Sequence, residues 1–368
     1  MNTKLLSPLV TRFLLVIMLC LPVWGSQVSA QTPESYAVLD ETTGTLTFRH
    51  DAKKPAGAYP LNSPEELPGW FVEGENFVNK NRIEKVVLDA SFAAARPTSC
   101  RCWFVGCTEL KTIEGIEYLN TENVVTMKSM FAFCNNLTAL DVSNFNTKNM
   151  TDMNSMFYEC NNLTTLNVSN FDTQNVTNMG WMFYGCNNIT TLNVSNFDTK
   201  KVTNMKSMFA FCNNLTTLNV TNFDTKNVTD MYAMFYECNN LTTLNVSNFD
   251  TKNVTDMTQM FHGCNNLTTI YVSEKFVTTA CEYGDEMFKD CGKLVGAVPF
   301  DENKTGMEMA NYTTGYFTDI KTTGIDATPI SDNIAAKYYD VQGRRMDAPQ
   351  KGINIVKRGG RTMKVLMK

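Results

Sequence analysis

The apolar positions between residues 160 and 186 fall into two groups with different spacing. Leu163, Leu166 and Val168 follow the pattern L-x-x-L-x-V, which predicts a short strand with its polar residues toward solvent. The second group recurs at i, i+3, i+4 and i+7, the spacing of one face of a short helix. It consists of Met179, Met182, Phe183 and Cys186. Each unit is therefore predicted to contain a strand, a polar loop, a short helix and a turn.

This pattern returns with a constant 26-residue period, most visibly in the block Met-Phe-x-x-Cys. Its cysteines are Cys134, Cys160, Cys186, Cys212, Cys238 and Cys264, and degenerate copies end at Cys107 and Cys291. Eight units at a fixed period predict an α/β solenoid of stacked repeats rather than a globule. The absence of proline between Pro97 and Pro299 fits a parallel sheet, because every interior strand must donate backbone hydrogen bonds.

The start of the chain has the features of a secretory signal. Lys4 and Arg12 precede an apolar run from Phe13 to Trp24, and Ala30 closes a small-residue cleavage site. The run is too short to span a bilayer, and no later segment reaches 18 apolar residues, so no transmembrane segment is predicted. The predicted protein is exported, and is either secreted or attached to the outer cell surface.

The predicted order of regions combines these observations. It is a signal peptide at 1–30, an N-terminal hairpin and capping region at 31–99, a repeat solenoid at 100–292, a C-terminal cap at 293–320 and a basic, β-rich tail at 321–368. The net charge is −5, but the tail holds ten Lys and Arg against four Asp and Glu. The remaining acidic body disfavours binding to nucleic acid.

Cysteine and histidine carry little predicted chemistry. Eight cysteines occupy one equivalent place per unit, which favours a column of small buried thiols over a disulfide framework. Cys100, Cys102 and Cys281 lie outside that column and are the better candidates for oxidation. The only histidines, His50 and His262, have no nucleophile or metal partner near them in the sequence. We therefore predict no enzyme activity, no cofactor and no metal site.

Two sets of positions are the candidate sites. A polar face is predicted from the strands, and its alternative reading is a set of side-chain ladders that only stabilise the stack. Its members are Thr165, Asn167, Ser169, Thr191, Asn193, Ser195, Thr217, Asn219, Thr221, Thr243, Asn245 and Ser247. The second set contains the aromatic residues at variable helix positions, Tyr158, Trp181, Tyr184 and Tyr236. These are either exposed binding residues or partners in packing between neighbouring units. The loop from Asp172 to Asn175 is rich in oxygen and leaves open either weak calcium binding or ordinary turn chemistry.

The 26-residue pattern resembles the BspA-like leucine-rich repeat surface proteins of anaerobic gut and oral bacteria. The resemblance covers about 100–292 and departs from the common leucine-rich repeat where Phe171 stands in place of a buried loop-closing Asn. The end of the chain is similar to type IX secretion sorting domains, through the segments 339–344, 351–356 and 363–368. The resemblance implies a leucine-rich repeat solenoid at the cell surface.

The resemblance also implies the class of function. We expect non-catalytic adhesion to host extracellular proteins or to other cells, through contacts spread along the array. A carbohydrate-binding module that uses the Thr and Asn face is the first alternative. A purely structural spacer in the cell envelope is the second.

Overall fold

The computed structural model describes residues 31–71, 82–323, 337–339, 344–347, 352–358 and 361–367. The predicted signal peptide lies outside the described residues. In the part of the chain that is described, no helix is long and apolar enough to cross a membrane.

The N-terminal region closes the solenoid with strands that continue its sheet. β1 (Glu34–Asp40) and β2 (Thr45–Asp51) form an antiparallel hairpin, and β3 (Tyr59–Pro60) pairs with β1. β2 then pairs in parallel with β4 (Lys85–Leu88), which pairs in parallel with β5 (Thr112–Glu114). This arrangement covers the open apolar end of the stack, where Trp70, Trp103 and Phe48 pack ring against ring.

The repeat units place short strands in register, one unit above the next. The strands of the repeats are β6 (Ala139–Leu140), β7 (Thr165–Leu166), β8 (Thr191–Leu192), β9 (Thr217–Leu218), β10 (Thr243–Asn245) and β11 (Thr269–Val272), and β12 (Phe317–Asp319) in the C-terminal cap continues the stack. All their pairings are parallel, and within the repeats Thr165 lies opposite Ala139 and Thr269 opposite Thr243, at equivalent positions of adjacent units. The predicted solenoid with short parallel strands is confirmed. In β6 to β9 only two residues of each unit, the Leu and the residue before it, form the strand.

The predicted short helix is wrong. Trp181 N–H donates to Lys206 O at 2.8 Å and Phe183 N–H to Met208 O at 3.0 Å, so alternate residues bond to the next unit. Between these bonds Met182 N–H returns to Met179 O within the unit, and Trp181 has the left-handed φ of 56°. No α-helix occurs among the described residues. We call the seven stacked segments 126–134, 152–160, 178–186, 204–212, 230–238, 256–264 and 283–291 the turn ladder.

The turn ladder is the more continuous of the two backbone ladders. Parallel bridges link one residue per unit from Ser99 through Asn178 to Tyr283 without a gap. The strand pairs, by contrast, form separate sheets of two or three strands. Because both sides of the stack are joined by backbone hydrogen bonds, both keep the strand spacing of about 4.8 Å, and we expect little curvature.

The interior is a single apolar column along the array. The Phe residues of the Met-Phe blocks stack with centroids 5.8 Å apart between Phe157 and Phe183 and between Phe183 and Phe209. The cysteines of the column are buried and free, as predicted, and each thiol from Cys134 onward donates to a carbonyl of the preceding unit. Burial raises the pKa of the Cys160 thiol to about 12. These thiols are packing residues.

One cysteine prediction needs correction. Cys100 is fully buried rather than accessible, because it packs with Trp103 under the N-terminal cap, and burial raises its pKa well above the ordinary thiol value. Cys102 and Cys281 are half-buried and free, so their oxidation stays a prediction.

Two polar side chains in each unit tie the loops together. The Thr199 hydroxyl is buried, donates to Asp224 O at 2.9 Å and accepts from Asp224 N–H at 2.8 Å. Asn170 Nδ2 donates to three carbonyls of the preceding unit, those of Val142, Ser143 and Phe145, each at 3.1 Å. Asn170 therefore performs the loop closure that Phe171 at the next position does not.

The chain ends in two further pieces. Tyr316 and Phe317 cover the last apolar unit, and the ring centroids of Phe317 and Phe288 are 5.5 Å apart. The described part of the tail forms one antiparallel sheet in the order β14, β13, β15, β16. These strands are β13 (Lys337–Tyr339), β14 (Arg345–Met346), β15 (Gly352–Arg358) and β16 (Arg361–Met367).

Candidate ligand-binding face

The strand side of the repeats presents two rows of polar residues to solvent. The outward Thr row holds Thr165, Thr191, Thr217 and Thr243, and all four are exposed. The Asn row holds Asn167, Asn193 and Asn219, which are exposed, and Asn245, which is half-buried. Ser169 and Ser195 are exposed beside it, whereas Thr221 is half-buried. The side chains between these rows, such as Leu166 and Val168, point into the core.

Ser247 does not belong to this exposed face. Only 2% of its surface is accessible. The next strand along the stack is longer than those before it, and Ser273 Oγ donates to the Ser247 carbonyl at 2.6 Å. The extra length covers the hydroxyl that the sequence pattern placed in solvent.

The Asn row has an orientation that the sequence did not indicate. Asn193 Oδ1 accepts from Ser195 N–H at 3.1 Å and from Ser195 Oγ at 2.7 Å, and Asn167 and Asn219 repeat this arrangement with their own neighbours. The amides therefore form local turns and not a ladder between units. Within the described residues the Nδ2 groups of these three Asn side chains make no hydrogen bond, so each of their units presents one fixed N–H₂ group to solvent.

The amide ladder of this fold lies elsewhere. Asn214 Nδ2 donates to Asn188 Oδ1 and Asn240 Nδ2 donates to Asn214 Oδ1, each at 3.3 Å. These residues belong to the Asn-Asn pairs that follow the six repeat cysteines from Cys134 to Cys264. The Asn-Asn pairs in the turn before each strand, and not the strand-face Asn residues, therefore form the amide ladder between units.

A shallow groove of about 450 Å³ runs along the strand face. It is lined by Thr191, Asn193, Thr217, Asn219, Thr243, Asn245 and Tyr271, with Leu192 and Leu218 at its floor. None of these side chains is charged. Tyr271 lies opposite Asn245 in the parallel register of the strands, at the position where four units have Asn and the first has Asp141. The sequence analysis missed Tyr271, although its departure from the repeat at that position was the available signal.

The four candidate aromatic residues lie on the turn ladder, on a separate surface. Tyr158, Tyr184, Tyr236 and Trp181 are all half-buried. Tyr158 and Tyr184 stack with centroids 4.5 Å apart. The pKa of the Tyr184 hydroxyl is raised to about 12, chiefly by burial and in smaller part by the neighbouring Tyr158 and the charge of Glu159. Packing between units and partial exposure therefore coexist in these residues.

The titratable groups are dispersed among local contacts. His50 hydrogen-bonds Ser35 at 2.8 Å, and His262 lies 3.5 Å from Asp290. The Asp172 carboxylate accepts from the backbone N–H of Gln174, which is turn chemistry. Among the described residues, no three His, Cys, Asp or Glu side chains come together as metal ligands.

Comparison with known proteins identifies the repeat region. A family model described as "Mycoplasma protein of unknown function, DUF285" matches residues 98–218 and 210–315, more than half of the chain. The chain belongs to this family. The matched residues include the whole repeat array predicted at 100–292 and the C-terminal cap as far as residue 315.

The chain is also similar to one solved leucine-rich repeat protein, from T. pallidum. The match has 15% sequence identity and a TM-score of 0.23, and it covers 77% of this chain and 95% of the other. The assignment of the fold rests instead on the in-register strands described above. No curated protein matches the chain.

Proposed function

We propose that this protein is exported, acts at the outer cell surface or after secretion, and adheres without catalysis to extracellular proteins of a host or of other cells. The observation that carries the proposal is the row of unpaired Asn Nδ2 donors along the strand face. Each donor is held in one orientation by its Ser or Thr neighbour, so little side-chain entropy is lost when a partner accepts the hydrogen bond.

The mechanism is repetition. Asn167, Asn193 and Asn219 present the same donor at a spacing of about 4.8 Å, and a partner with several acceptors contacts several units at once. Affinity then increases with the number of units in contact. The BspA-like resemblance of the repeats and the membership of a repeat family support this class of function.

The test compares arrays of different length. Deletion of residues 161–238 in frame removes three units and rejoins Cys160 to an Asn-Asn pair, as in the six central units. We expect a folded protein by circular dichroism that binds immobilised extracellular matrix proteins more weakly than the full chain does. Complete loss of binding by a folded deletion variant would instead indicate one localised site.

A point variant tests the donors directly. The double variant Asn193→Ala and Asn219→Ala removes two free amides, and we expect weaker binding to the same proteins. Asn188→Ala is the matched control, because that exposed amide already takes part in the amide ladder. Equal losses in the two variants would contradict the role of the strand face.

One observation favours a second candidate, a neutral glycan. Tyr271 places an aromatic ring beside the uncharged donors and acceptors of the groove, a combination that suits the apolar and hydroxyl faces of a sugar. Screening on a glycan array distinguishes the two candidates, and Tyr271→Asn restores the repeat pattern at this position. If the full chain binds neither matrix proteins nor glycans, a spacer role in the envelope becomes the better explanation.

A further inference from the structure

The outer edge of the turn ladder carries an unbroken row of rings. Consecutive ring centroids are 5.0, 4.5, 5.1, 5.0 and 4.7 Å apart. The rings are those of Phe133, Tyr158, Tyr184, Phe211, Tyr236 and His262, and we call this row the aromatic edge. Phe133 is 43% exposed, and the four rings that follow are half-buried. Tyr158 and Tyr184 stack face to face, whereas Phe133 and Phe211 meet their tyrosine neighbours at interplanar angles of 54–63°.

The row continues although its residues alternate between two sequence positions. In two units the ring comes from the second residue after the core Phe, as in Phe133 and Phe211, and in the others it comes from the first. Phe133 and Phe211 hold left-handed φ values of 62° and 58°, which bring their rings into line with the tyrosines. The sequence position of the ring therefore changes from unit to unit, but the rings form one continuous row.

Two carboxylates lie against this edge in notches made by glycine. A Cβ atom at Gly185 would lie 3.0 Å from Glu159 Cδ, and one at Gly263 would lie 2.7 Å from Glu237 Cδ. Each Glu therefore extends over the next unit, beside a ring of the row. Among the described residues the Glu159 carboxylate has no hydrogen-bond or ion-pair partner, and Glu237 accepts only from Asn239, at 3.0 Å.

The surrounding charge has the same sign. The seven segments of the turn ladder hold eight Asp and Glu residues and three Lys residues. One of the three, Lys289, is paired with Glu286 at 2.6 Å. The turn ladder is therefore net acidic, whereas the groove of the strand face is uncharged.

The chain itself shows that this ladder accepts a cation. Lys206 Nζ lies 4.4 Å above the ring of Tyr232 and 5.4 Å from that of Trp181. The charge of Lys206 also lowers the pKa of Asp230, which desolvation raises more strongly. A basic side chain over aromatic rings and near a carboxylate is thus already present elsewhere on the turn ladder.

From these observations we propose that the aromatic edge docks an extended, arginine-rich segment of a partner protein. Glu159 and Glu237 are three units apart, about 14 Å at 4.8 Å per unit. An extended chain covers that distance in about four residues, and residues i and i+4 of a strand point to the same side. The planar guanidinium donates to a carboxylate and a tyrosine hydroxyl together, which favours Arg over Lys. This surface is distinct from the strand face and does not depend on its function.

The experiment measures binding of the full chain to a labelled 16-residue peptide with Arg at every fourth position and Ser, Thr or Gly between. We expect Glu159→Gln and Glu237→Gln to weaken binding by about three- to fivefold each, because each removes one partly exposed charge pair. Glu122→Gln is the matched control, since it makes the same charge change at an exposed loop position. Gln is isosteric with Glu, and a thermal melt checks that each variant stays folded.

Peptide variants provide the second comparison. Moving the Arg residues to every third position, at constant charge, should weaken binding to the full chain, and replacing Arg by Lys should also weaken it. Equal weakening by the Glu122 control, or indifference to the Arg spacing, would show general attraction by an acidic body and overturn the proposal. Binding of a peptide with this chain's own sequence 351–368, in preference to the Arg peptide, would overturn the assignment to a partner protein.

Discussion

The buried Thr column offers the sharpest test of what holds the units together. Thr199→Val replaces one side chain by another of nearly equal volume, so the packing around it should change little. The substitution removes two hydrogen bonds, of 2.8 and 2.9 Å, that join Thr199 Oγ1 to the N–H and carbonyl of Asp224 in the next unit. Both backbone groups of Asp224 then lose their partner in a part-buried loop.

The magnitude follows from the cost of unpaired polar groups. Each buried donor or acceptor left without a partner costs about 1–3 kcal/mol. Because Asp224 is half-buried and water reaches it in part, we expect the free energy of unfolding to fall by about 2–4 kcal/mol. Equilibrium unfolding in urea, followed by far-ultraviolet circular dichroism, measures this change.

The same substitution at Thr203 is the matched control. Thr203 is exposed, and its hydroxyl donates to the Thr177 carbonyl at 3.3 Å, which keeps its bond from Thr203 N–H at 2.9 Å. We expect Thr203→Val to change the free energy of unfolding by less than about 0.5 kcal/mol. If the two variants were equally stable, the buried hydroxyl would not be what links the loops.

Three further predictions concern the array. Burial raises the folded-state pKa of Cys160 to about 12 from the ordinary thiol value of 9.0. The contribution of this thiol to the free energy of unfolding is therefore complete below pH 9 and should fall between pH 9 and 12. Unfolding curves at several pH values measure the change. Gly185→Ala should lower the melting temperature because Gly185 has a φ of 71° and its added Cβ would press on Glu159, whereas Gly292→Ala should not, since no atom lies within 4 Å of its Cβ. Asn170→Ala removes an amide whose two N–H groups are shared among three carbonyls, and it should cost about 2–3 kcal/mol in urea unfolding; a cost below about 1 kcal/mol would refute the loop-closing role.

Most of the architecture was accessible from the periodicity of the sequence. A strict 26-residue repeat of apolar residues can be buried only by stacking, and the inward positions from Leu163 to Cys186 are indeed buried. The thiol column was predictable for the same reason. Residue type and spacing alone set which side chains share the interior.

The backbone conformation of the second half of each unit was decided by tertiary contacts. The spacing of Met179, Met182, Phe183 and Cys186 fits one helical face and equally fits stacked turns that point the same side chains inward. Hydrogen bonds between units select the turns, because every second N–H finds a carbonyl in the next unit of the stack. Local signals were few, chiefly the glycines at the left-handed positions Gly185 and Gly263.

Some features of the candidate sites also followed from the sequence pattern, and others depended on tertiary contacts. Alternation along the strand sufficed to predict that Asn193 and its equivalents face solvent, because a strand side chain is either inward or outward. The burial of Ser247 depends on the length of a neighbouring strand. The alignment of Phe133 with the tyrosines depends on its left-handed φ, which accompanies the hydrogen bond from Phe133 N–H to Tyr158 O in the next unit. Periodicity thus determined what each unit buries, whereas the orientation of its surface groups depended on contacts with the units above and below, which a local pattern does not specify.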